Sequence, residues 1–165
     1  APLSLTDVDQ FFTVRAALEC TTTRLAAPKV PDHVIAAIDQ RLARSGEAAS
    51  AGKEVDPVDE IHDILLSFSG NELIKQMLDG IRGPMRRMHN CAIALGGRRE
   101  RSLKEHASIW EAVKSRDIES AEARMRDHLD STKSSIAESW LPMWDTEVEG
   151  LLRQHAATEG SVARR

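Results

Sequence analysis

Apolar positions along this chain recur at helical rather than strand spacing, and they divide it into a run of amphipathic helices. Leu5 to Ala27 predicts a long first helix, capped by Thr6 and Asp7, with a stripe of Val8, Phe11, Arg15, Leu18, Thr22 and Leu25. Pro28 and Pro31 end it. Pro31 suits the start of a second helix, Asp32 to Glu47, whose apolar side is Val34, Ile35, Ile38 and Leu42. The small residues from Gly46 to Lys53 read as a loop. A third helix is expected from Asp56 or Pro57 to about Phe68, with Ile61, Ile64, Leu65 and Phe68 inward and Val58 in the same sector. Ser69-Gly70-Asn71 supplies its stop. A fourth, Asn71 to Leu95, carries Ile74, Met77, Leu78, Ile81, Met85, Met88 and Leu95, with a kink expected at Pro84 beside Gly83.

After Gly96-Gly97 the segment RRERSLKE opens another helix, and its arginines read as a solvated face. That helix aligns Leu103, His106, Ile109, Trp110 and Val113. Past Ser115-Arg116-Asp117, with Asp117 as N-cap, the next aligns Ala121, Met125, His128 and Thr132. Trp140, Pro142 and Trp144 interrupt the pattern, Glu147 to His155 suits a last helix, and the final GSVARR reads as frayed. No strand, hairpin or internal repeat is visible, so the expected class is all-α.

Composition agrees. At 165 residues the chain suits a single domain spanning 1–165, with a core that needs no staples. Aromatics are few and tyrosine is absent, which favours helix over sheet. A net charge of -4 gives no basic field for direct nucleic-acid binding. Cys20 and Cys91 form no CxxC and read as reduced thiols of a cytosolic protein. No apolar run approaches the roughly 20 residues that span a bilayer, so no membrane partner is expected. The chain starts at Ala1 without methionine, as a piece cut from something longer would.

Three imidazoles change the picture. His106 and His128 interrupt apolar stripes, and His62 lies at the edge of another, with Asp59 beside it at i, i+3. An unpaired buried polar ring costs roughly 1–3 kcal/mol, so each needs a partner. A shared metal ion is one solution, and separate hydrogen bonds to carbonyls are the other. Arg15 stands where an aliphatic side chain is expected. It either snorkels past its neighbours or points a guanidinium into a cavity, where it suits bidentate capture of a carboxylate. The methionines of the fourth helix are core filler or the adaptable wall of a pocket. The direction of His89 and Asn90 is not fixed by the pattern.

The succession VRAALE (Val14 to Glu19), RLAA (Arg24 to Ala27), IHDILLSFSGNELI (Ile61 to Ile74) and EHASIWEAVKSRDIESAEARMRDHL (Glu105 to Leu129) resembles the C-terminal effector-binding (FCD) domain of FadR-type regulators in the GntR superfamily. The resemblance spans roughly Leu5 to Ile136. It implies an antiparallel bundle of about six to seven helices around a central ligand cavity. It also implies a homodimer, a small carboxylic-acid or sugar-acid effector, and in many members a divalent metal, zinc or nickel, on one Asp and three His. Position by position, the histidines match His62, His106 and His128, and Arg15 matches an arginine that contacts the effector. The family's aspartate falls on Val58, one residue before Asp59. Asp59 in the metal shell, three histidines completed by water or effector, and a metal-free pocket are the three arrangements open. The winged helix-turn-helix domain that reads DNA is absent from these 165 residues, so DNA contact would come only through that domain.

Two other classes compete. A di-iron metalloenzyme needs two Glu-x-x-His motifs. Only Asp59-Glu60-Ile61-His62 approaches one, and no nucleophile–base set accompanies it, so an enzyme is not expected. A metal-independent helical dimerisation scaffold, with structurally satisfied histidines, is the alternative.

Overall fold

In the computed structural model, residues 5–51, 60–93 and 97–139 are described. Their regular elements are all helices: α1 (Leu5–Ala26), α2 (Asp32–Ser50), α3 (Glu60–Ser69), α4 (Glu72–Ile93), α5 (Arg98–Lys114) and α6 (residues 118–139). No strand occurs among the described residues. The chain is all-α, as its periodicity predicts.

Helix α1 buries Val8, Phe12, Arg15, Glu19, Thr22 and Ala26, at alternating spacings of four and three. The face is therefore turned from the stripe read in the sequence. Phe12 and Glu19 point fully inward, whereas Phe11, Leu18 and Leu25 are half-buried on its flank. Leu18 and Leu25 are not wasted there; they pack on a smaller cluster formed by Leu66 of α3 with Ile74 and Leu78 of α4. Met77, expected in the core, is 50% exposed, because α4 turns only Ile74, Leu78 and Ile81 toward that cluster.

The main core joins α1 to α2, α3, α5 and α6 through Val8, Phe12, Ile35, Ile61, Leu65, Ile109, Trp110, Met125, Leu129 and Ile136. Trp110 is wholly buried, and its indole donates to the Ile35 carbonyl at 3.3 Å, so the ring joins α5 to α2 without an orphaned N–H. Lys133 pairs with Asp9, and Arg24 reaches Glu122 at 3.8 Å. Residue numbers rise along α1 as they fall along α6, so the two run antiparallel. Arg124 Nη1 donates to the Ser108 carbonyl at 2.6 Å and His106 faces His128, so α5 and α6 are antiparallel as well.

Several boundaries moved. Gly46 to Ser50, read as the start of a loop, continues α2 to Ser50. Alanines 48 and 49 are strong helix formers, and the two half-bury themselves, which outweighs Gly46. The stop at Ser69-Gly70-Asn71 stands: Gly70 has φ 70, and Asn71 Oδ1 accepts the Ile74 N–H at 3.1 Å. Asp117 caps α6 through Ser120 at 3.1 Å. Helix α4 runs on past Pro84 to Ile93. The expected opening at Asp56 or Pro57, Val58, Asp59, Leu95 and everything beyond residue 139 lie outside the described residues, as do the side chains of Met85, Met88, His89, Asn90 and Cys91.

Candidate metal centre and ligand cavity

Three helices bring one histidine each to a common point. His62 (α3), His106 (α5) and His128 (α6) offer nitrogens that all lie within 4.8 Å of one another. His62 Nε2 stands 3.2 Å from His106 Nε2, which stands 3.3 Å from His128 Nε2. The ring centroids are 4.5–5.2 Å apart, tilted or edge-on rather than stacked. The three residues singled out by their positions in the stripes do converge. Asp59 lies outside the described residues.

Each outer ring is held from behind by a carboxylate. His62 Nδ1 contacts Glu19 Oε2, and His128 Nδ1 lies 2.7 Å from Glu105 Oε2. An ionised carboxylate only accepts, so each of these Nδ1 atoms carries a proton, and in the neutral ring that leaves Nε2 with a lone pair turned inward. Each carboxylate is in turn held by a buried arginine. Arg15 Nε donates to Glu19 Oε1 at 2.6 Å, and Arg98 Nη1 donates to Glu105 Oε2 at 3.0 Å. Ser131 Oγ adds a bond to Glu105 Oε1 at 2.6 Å, and Arg98 Nη2 also bonds Thr132. Two Arg–Glu–His chains thus close on His106, whose own Nδ1 is buried without a partner among the described residues.

Burial alone would raise the pKa of Glu19, but the charge of Arg15, then that of His62 and the hydrogen bonds from both, outweigh it and hold this carboxyl far below the usual range. Glu105 moves the same way: burial opposes, and bonds from His128 and Ser131 together with Arg98 prevail. Burial drives His106 well below the ordinary histidine value, helped by its two imidazole neighbours. Burial likewise lowers His128 to about 4, against the pull of Glu105. At neutral pH His106 and His128 are therefore neutral, the form that ligates a metal.

This arrangement fits a divalent metal. Two Nε2 lone pairs turned toward a third nitrogen at hydrogen-bond range have at most one proton to share. With Zn–N near 2.0–2.1 Å, two imidazole nitrogens on a tetrahedral zinc sit about 3.3 Å apart, which matches the two short separations. The outer carboxylates are the support that metal-bound histidines commonly receive.

Beside the trio lies a cavity of about 470 Å³ between α1, α3, α4 and α6. Arg15, Glu19, Thr22, His62 and His128 form its polar side, and Leu65, Leu66, Leu78 and Met125 its apolar side. Arg82, its guanidinium pinned between Asp63 (2.6 Å) and Asp79 (2.7 Å), and Arg86 stand at the exposed rim. Arg15 is buried against this space, with its guanidinium 5.4 Å from the centre of the Phe12 ring. Arg15 does not snorkel out to solvent; it is among the residues that line the cavity, with its guanidinium bonded to Glu19.

Glu19, Glu105 and Arg98 were missed in the sequence. Arg98 belongs to a run read as solvated, yet it is 3% exposed. Glu105 and Thr132 supply enough acceptors to draw it in, while Arg99 and Arg101 remain outside. For Glu19 a signal existed: it lies four residues after Arg15, and an arginine forced into an apolar stripe carries its i, i+4 partner with it.

This helical chain with its histidine trio belongs to the FCD domain family, whose model matches residues 10–131. Its relatives include YdhC, an HTH-type transcriptional regulator of Bacillus subtilis (strain 168), 26% identical over 133 residues, or 76% of this chain and 58% of that protein. RspR, an HTH-type transcriptional repressor of Escherichia coli (strain K12), is 22% identical over 138 residues, or 81% of this chain and 60% of that protein. The chain thus spans 58–60% of the length of these curated relatives. No helix among the described residues is long and apolar enough to cross a membrane.

Proposed function

We propose that this chain is the sensing and dimerising half of a FadR-type regulator of the GntR superfamily, acting in the cytoplasm without catalysing a reaction. His62, His106 and His128 hold a divalent metal, zinc or nickel. Arg15 and the metal together receive the acidic group of a small carboxylic or sugar acid. The observation that carries this reading is the meeting of three Nε2 atoms beside a cavity that Arg15 also lines. When bound, the metal supplies a Lewis-acidic position for an acid oxygen; Asp59, water or the acid completes its shell.

The residues of the chain do the rest. Glu19 and Glu105 orient the outer rings, Arg15 supplies fixed positive charge, and the leucines and Met125 exclude water from the ligand's body. Regulation follows from linkage: an acid that binds one arrangement of the homodimer better than another shifts the DNA affinity of an attached winged helix-turn-helix domain by that difference.

The test is elemental analysis of the purified chain, followed by calorimetry with a panel of small organic acids before and after chelation. One divalent ion per chain and acid binding that chelation abolishes are expected. Arg15→Ala should weaken the acid about tenfold or more, the loss of a charge-assisted contact. A protein that takes up neither zinc, nickel nor any acid would falsify the reading. The separations of 3.2 and 3.3 Å are also hydrogen-bond lengths, and this favours one second reading, a metal-independent dimerisation scaffold in which His106 Nε2–H is shared by its neighbours. Chelation that changes neither melting temperature nor acid binding selects it.

A further inference from the structure

Threonine hydroxyls inside helices usually return to the carbonyl one turn back. Thr13, Thr21, Thr23 and Thr132 all do so, to Asp9, Ala17, Glu19 and His128, at 2.9, 2.7, 2.9 and 2.9 Å. Thr22 does not. It is 2% exposed, and its hydroxyl has no hydrogen-bond partner among the described residues. A buried hydroxyl left unpaired costs roughly 1–3 kcal/mol, although the Leu18 carbonyl stands at the usual i−4 position.

The place of this hydroxyl says what it is for. Thr22 follows Arg15 and Glu19 at i+7 and i+3 on the inward face of α1, and it lines the same cavity. The cavity is lined by apolar Leu66, Leu78 and Met125 and also by polar groups that include Asp63, His128 and Thr132, none of which bonds the Thr22 hydroxyl. We infer that Thr22 is a specificity-determining residue, pairing with a hydroxyl or similar hydrogen-bonding substituent on the acid that the cavity receives. The inference rests on the effector reading above and narrows its ligand class. Along α1 the hydroxyl lies two turns, a rise of about 10.5 Å, from Arg15, and the 2-, 3- and 4-hydroxy positions sample how far from the acidic group its partner sits. The ligand is a hydroxy acid with an apolar remainder.

The experiment is calorimetry on the full, zinc-loaded chain with hexanoate and its 2-, 3- and 4-hydroxy derivatives, which share one skeleton. At least one hydroxy acid should bind about tenfold or more tightly than hexanoate, the worth of one well-made buried hydrogen bond. Thr22→Val, which keeps the shape, should erase that preference, so that the hydroxy acids and hexanoate bind the variant alike; Thr22→Ser should retain it. Equal binding of all four acids overturns the inference while leaving the acid-sensing reading intact. So does a Thr22→Val protein with unaltered preference, or one in which only the melting temperature moves, since a buried water then satisfies the hydroxyl. If no acid of the four, and none of the wider panel, binds the wild type, the effector reading falls and takes this one with it.

Discussion

Glu105 accepts from His128, Ser131 and Arg98 at once, and removing it strips the support from one imidazole while stranding a buried guanidinium. Glu105→Ala should lower zinc affinity about 10–100-fold, as loss of a carboxylate behind a metal-bound histidine does, read by competition with a chelator of known affinity. The same change should cost about 3–5 kcal/mol of stability, so the titration belongs at a temperature where circular dichroism shows the variant folded. Unchanged affinity in a folded variant would mean that the carboxylate supports only the fold. At this scale the sequence disclosed the three rings and Arg15, because each breaks an apolar stripe. It left only the i, i+4 spacing from Arg15 as a hint of Glu19 and concealed Glu105 and Arg98, because a charged residue on a helix belongs by default to water. Only the partners across the bundle reverse that default, and those partners lie 43, 23 and 34 residues away for the contacts to His62, His128 and Thr132.

Helices were legible to within a turn because burial follows the 3.6-residue period. Their rotation was not, since the sequence weighs Phe11 and Phe12 equally and packing decides between them. The α3–α4 junction was read correctly, for local reasons. Gly70 adopts φ 70, Lys29 Nζ donates to the Ser69 carbonyl at 2.8 Å, and Asn71 caps the next helix. A Cβ at residue 70 would meet Lys29 Nζ at 3.5 Å, which is ordinary contact, so the penalty there is conformational rather than steric. Gly70→Ala should therefore destabilise the chain by about 1–2 kcal/mol, measured by urea denaturation, with zinc affinity unchanged. A loss below a few tenths would show that the turn relaxes freely.

For the molecule as a whole, the buried imidazoles make acid the weak side. From pH 6.5 down to about 4 the unfolded chain takes up a proton at His128 that the folded chain refuses. His106 is lowered too, so it adds the same sign. Stability then falls with falling pH, by up to about 1.4 kcal/mol per pH unit for each such histidine. Glu19 and Glu105, held low when folded, continue the loss below 4.5. The melting temperature of chelator-treated protein should drop steadily from about pH 6.5, and zinc at a hundredfold excess over its Kd should restore about 2.7 kcal/mol at neutral pH. A curve flat to pH 4.5 contradicts this account of the trio. A cavity was expected through the family resemblance alone; its volume and lining could not be read from the chain, since both depend on how far apart α1, α3, α4 and α6 settle.

The two arginines differ in one respect that no single contact conveys. Arg98 is sealed between Glu105 and Thr132, whereas Arg15 borders open space. A solute entering from outside can compete for the guanidinium behind His62 and has no access to the one behind His128. One histidine is anchored permanently and the other on terms a visitor can alter, so the bundle has a fixed jaw and an adjustable one.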